Sequence, residues 1–117
     1  MSTLLNEKPK NYEGRRKDLI GATETVFHNP SSLEEVCSQI SSLIRMEVVE
    51  CERHLSKEQH AVLEEYTQHV EDVLEQCKGE FVLYEQGSAT QILEAETRML
   101  KAMENKVLSV IEDWPVF

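Results

Sequence analysis

Cysteine and histidine are the side chains that could hold a soft metal. They gather mid-chain, with Cys51 and His54 three apart and His60, His69 and Cys77 following. A structural zinc site needs four such ligands converging at about 2.0–2.3 Å, with close spacing within pairs. The later residues lack that spacing. Cys37, Cys51 and Cys77 recur instead on apolar stripes, where a thiol packs as a small hydrophobe. No metal and no cofactor are expected. The carboxylate doublets Glu64–Glu65, Glu71–Asp72 and Glu112–Asp113 point to different faces of a helix. No Glu-x-x-His, the pair that di-iron bundles project inward, occurs. With no glycine-rich phosphate loop and no nucleophile motif, the chain is expected not to be an enzyme.

One cluster could bind rather than react. Arg15, Arg16 and Lys17 stand at the start of a helical pattern, beside Tyr12. Cations there oppose the helix dipole by a few tenths of a kcal/mol each. They either pair with acidic residues elsewhere in the chain or hold a small anion such as a nucleotide, with Tyr12 as a stacking face. Further interleaved aromatics, which a nucleic-acid surface would carry, are missing.

The elements that must position these residues follow from charge and punctuation. The 117 residues carry 12 Lys+Arg against 22 Asp+Glu, a net charge of -10. Residues 1–30 hold five basic and four acidic groups, and the remaining 87 hold seven and 18. A near-neutral head therefore precedes a strongly acidic body, and at a pI near 4.8 direct nucleic-acid binding is not expected. An acidic rod could mimic nucleic acid and block a DNA-handling protein, although acidity also serves solubility. No apolar run approaches the roughly 20 residues of a membrane span. Met1 opens no signal peptide, and three cysteines form no disulfide framework, so a cytoplasmic setting is expected.

Gly and Pro are scarce, which favours long helices. Residues 1–13 lack apolar periodicity and are expected to be a flexible arm. Residues 14–117 are expected to form one domain, an all-α antiparallel bundle of three long helices plus a short N-terminal one. Leu19, Ala22, Thr23, Val26 and Phe27 mark the short helix, which Pro30 ends. Ser31 and Ser32 with Glu34 and Glu35, Ser56 with Gln59, and Ser88 with Gln91 are capping boxes that start the three long ones. Leu33, Cys37, Ile40, Ile44, Val48, Cys51 and Leu55 line the second helix. Leu63, Tyr66, Val70, Val73, Cys77, Phe81 and Tyr84 line the third, across Gly79. Glu80–Glu85 also has a strand-like composition, but a lone strand would have nothing to pair with, so helix is preferred. Leu93, Leu100, Met103, Val107, Val110, Ile111 and Trp114 line the last helix, with Glu96 a polar intruder and Pro115 the stop.

These stripes are wide. The second helix carries ten apolar positions, more than one hairpin neighbour can cover. The C-terminal aromatics must fold back or dock on something, at about 150–250 Å² each. The expected function is a non-enzymatic helical interaction module, a small subunit, adaptor or inhibitor. It would associate with itself as a homo-oligomer or with a protein partner through Val49, Val82, Leu83, Trp114, Val116 and Phe117. The alternatives are an anion binder using Tyr12, Arg15, Arg16 and Lys17, and the nucleic-acid mimic.

Overall fold

Serine side chains set the helix starts. Ser56 Oγ accepts from Gln59 N while Gln59 Oε1 accepts from Ser56 N, and Ser88 and Gln91 repeat the exchange at 3.2 and 3.0 Å. Ser32 Oγ accepts from Glu35 N in the same way. The structure, a computed structural model, describes residues 12–29 and 32–117. Ser31, Pro30 and residues 1–11 of the expected arm lie outside the described residues. Four α-helices follow: α1 (Tyr12–His28), α2 (Leu33–Glu52), α3 (Lys57–Phe81) and α4 (Ala89–Glu112). A single 3-10 turn, Val82–Tyr84, extends α3. Among the described residues there is no strand, and Glu80–Glu85 is helix and turn. Tyr12 and Glu13, expected at the end of the arm, belong to α1.

Side-chain contacts fix the topology. α1 starts at the end of α4, where Arg16 Nη1 donates to the Trp114 carbonyl, and reaches only the middle of α4, where His28 meets Glu104 at 3.4 Å. Arg15 on α1 grips Glu47 late in α2, and Ser41 on α2 donates to Glu71 on α3. Neighbouring helices are thus antiparallel in the order α1, α2, α3, α4, and α4 closes the ring on α1. This is an up-down-up-down four-helix bundle.

Its interior takes one stripe from each helix. Ile40 and Ile44 of α2, Leu63 and Val70 of α3, and Met103, Val107 and Ile111 of α4 are all fully buried, with Cys37 Sγ on Met103 Sδ at 3.7 Å. The ten-residue apolar set of α2 is absorbed here: seven of its members are buried, because α2 has three helical neighbours rather than one. The seam width therefore does not itself require another chain. α1 contributes least, only Leu19, Thr23 and Phe27, and Thr23 Oγ1 is buried without a hydrogen-bond partner.

The bundle is 60 × 26 × 18 Å with a radius of gyration of 16.5 Å, against about 13 Å for a compact chain of this length. The excess arises because α3 and α4 outrun their neighbours. α2 begins level with Glu96, whose Oε2 accepts from Leu33 N at 2.9 Å. The expected polar intruder thus satisfies an orphan donor at the positive end of α2. The seven residues of α4 before Glu96, about 10 Å of helix, project beyond α2 together with the turn that joins them to α3.

Candidate interaction surface

The projecting tip is a tightly closed turn. Val82–Tyr84 winds as 3-10 helix, Gly87 N donates to Tyr84 O at 3.1 Å, and the Ser88–Gln91 box restarts the chain as α4. A Cβ at Gly87 would stand 2.8 Å from Gln91 Oε1, inside contact distance of the atom that completes the box. Glycine at 87 is what lets the capping glutamine lie against the turn.

This turn sets Val82, Leu83 and Tyr84 outward. Leu83 is 79% exposed, and Leu93, on the facing part of α4, is 64% exposed. Beside them runs a groove of about 490 Å³ with Leu33, Phe81, Val82 and Ile92 among its lining residues. Its charged lining residues are Glu34, Glu85, Glu96 and Lys78; Lys78 pairs with Glu75 at 3.0 Å and Glu96 caps α2.

Periodicity places Leu93 on the core stripe, yet its side chain faces solvent. It lies 18 residues, five full turns, before Ile111, and so faces the same side of α4 as that fully buried residue. Glu104, about three turns after Leu93 on the same side of α4, meets His28 at the end of α1. Leu93 lies 11 residues before Glu104, where α1 ends, roughly 16 Å farther along the axis. Leu93 is bare because its neighbour is too short.

The remaining candidate contacts separate into two groups. Val49, with Met46 one turn away, is exposed on the outer face of α2. Trp114 is not at the surface: it is 3% exposed, packed edge-on to Tyr66 at 6.3 Å, and this corrects its expected place among the contacts. Helix end and C-terminal segment turn inward together, so the indole completes the core. Val116 is exposed, while Phe117 meets Tyr12 edge-on at 5.5 Å.

The cationic cluster is divided among different partners. Arg15 forms a bidentate pair with Glu47, Nε to Oε2 at 2.8 Å and Nη2 to Oε1 at 3.0 Å, with side chains 16% and 13% exposed. Cys51 Sγ donates to the same carboxylate at 3.2 Å. Arg16 holds the Trp114 carbonyl, and Lys17 is exposed. The Tyr12 ring is covered by Phe117, and burial raises its pKa. Arg15, Arg16 and Tyr12 thus serve internal contacts.

Burial, with the Glu47 hydrogen bond at Cys51, pushes the thiols of Cys37 and Cys51 up to about 11, and burial raises Cys77 as well. Neutral buried thiols are poor nucleophiles. Among the described residues no three His, Cys, Asp or Glu side chains converge as metal ligands, and no helix is long and apolar enough to cross a membrane. No family model, no curated protein and no solved structure matches this chain.

Tyr84 and Leu93 lie at the surface although periodicity places both on core stripes. Val82 and Leu83 were legible, because they exceed the apolar stripe of α3. The signal for Leu93 is relational: it requires knowing where α1 stops.

Proposed function

We propose that this chain is a non-enzymatic docking module, acting in a reducing compartment such as the cytoplasm, that engages another polypeptide through the projecting α3–α4 tip. The single observation that carries the reading is the concentration of exposed apolar side chains at 82, 83 and 84 on a turn closed by the Ser88–Gln91 capping box, with Leu93 just beyond it on α4. Large apolar side chains left in water and clustered in one part of a fold mark interaction sites. A rigid turn loses little conformational freedom on binding, which favours affinity. The occupant is a partner protein or a second copy of this chain. The anion-binding alternative would need the Arg15 fork, and Glu47 already holds it.

The test is sedimentation velocity and affinity capture with the chain and its L83D/L93D variant, matched by far-ultraviolet dichroism. The expected result is self-association or a retained partner that the variant loses. A compact monomer whose captures are indifferent to the two aspartates would overturn the proposal.

A further inference from the structure

Resting on that docking role, we infer the chemistry of the occupant: a basic amphipathic helix from another protein, seated with an apolar anchor in the groove beside the tip and its cations along α3. The groove supplies the apolar half, with Leu33, Phe81, Val82 and Ile92 among the residues that line it. Its charged lining is biased to one sign. Glu34 and Glu85 are exposed carboxylates, while the single lining lysine, Lys78, is paired with Glu75.

The bias continues away from the groove. Residues 57–85 hold eight carboxylates, at 58, 64, 65, 71, 72, 75, 80 and 85, against two lysines, at 57 and 78. Seven of those carboxylates are exposed. More than half of the chain's net charge of -10 therefore lies on α3 and the turn that follows it. A second copy docked here would bring two such rows together, and like charges across an interface disfavour the pairing. A helix with one apolar face and flanking lysines or arginines matches both halves of the surface. Apolar anchors of a helix seated in a groove repeat at three- and four-residue steps.

The probe is a fluorescent leucine/lysine amphipathic peptide about 18 residues long, five helical turns, with a leucine/glutamate peptide of the same pattern as control. Anisotropy titration is expected to show saturable binding of the lysine peptide alone. Raising ionic strength from about 0.05 M to 0.3 M should weaken it severalfold as screening shortens the reach of the carboxylates. Val82→Asp, at an exposed position, and the charge reversal Glu34→Lys/Glu85→Lys are each expected to cost about tenfold in affinity. Amide shifts in an NMR titration should centre on residues 33–34, 81–85 and 92. Equal binding of the glutamate peptide, indifference to both variants, or shifts centred on Met46 and Val49 would overturn the inference. Absence of lysine-peptide binding alongside self-association that L83D/L93D abolishes would sink the basic partner but leave the docking role. Absence of both the peptide binding and any tip-dependent association would sink the two together.

Discussion

At the end where α1 begins and α4 finishes, Trp114 is sealed against Tyr66, Phe117 lies on Tyr12, and Arg16 holds the last turn by its carbonyl. At the opposite end α3 and α4 run on alone, and Val82, Leu83, Tyr84 and Leu93 face solvent. Both ends carry large apolar residues, so composition does not separate them. What differs is how many helices reach each level of the bundle. Ile111 is fully buried at the end where α1 begins, whereas α1 has stopped before Leu93, on the same side of α4. Apolar surface becomes core or contact according to the length of its neighbour.

That contrast is sharpest in stability. Trp114→Ala is expected to destabilise the fold by about 3–5 kcal/mol, the range for truncating a buried aromatic, while Leu83→Ala stays within about 0.5 kcal/mol. Urea unfolding followed by circular dichroism compares the two directly. Equal costs would erase the distinction between the ends.

The thiols add a pH arm confined to the closed core. Folded Cys37 and Cys51 keep their protons to about pH 11, whereas the unfolded chain loses them near the ordinary thiol value of 9.0. Between those values the unfolded state binds fewer protons, so stability present below about pH 9 falls as pH rises and levels off above about 11. The loss is on the order of 2 kcal/mol per thiol. Thermal melts from pH 8 to 11 should show it, and Cys37→Ala/Cys51→Ala should flatten the fall. A variant with the same alkaline slope would remove the thiols as its cause.

Arg15 and Glu47 tie α1 to α2 on the four-helix side. Arg15→Met leaves a mostly buried carboxylate beside Cys51 and should cost about 2 kcal/mol, with Arg15→Met/Glu47→Leu recovering most of it. A double-mutant cycle in urea measures the coupling. Smaller still, Thr23→Val keeps the side-chain shape and removes the orphan hydroxyl, and is expected to stabilise by about 1 kcal/mol. A destabilised valine variant would mean that the hydroxyl has a partner in solution.

Much of this architecture is written locally. The Ser56–Gln59 and Ser88–Gln91 boxes depend on residues three apart, and both bonds of each form. Gly79 sits inside α3, as the unbroken stripe from Cys77 to Phe81 requires. The residues whose roles local pattern leaves open depend on partners far along the chain. Glu96 looks out of place on its stripe until Leu33 N, 63 residues earlier, is beside it. Trp114 looks like an exposed end until Tyr66 is opposite it. Arg15 could pair within the chain or hold an anion until Glu47 takes its fork. Periodicity marks which side of a helix is apolar, but not where the neighbouring helix ends.

Two exposed apolar sites, the tip and the outer face of α2, compete to meet another protein. Photocrosslinking with benzoylphenylalanine at position 83, on the tip, and at position 46, on the outer face of α2, compares two comparably open sites. Adducts from position 83 that position 46 does not give are the predicted result. Equal adducts from both positions, or adducts from position 46 alone, would contradict it.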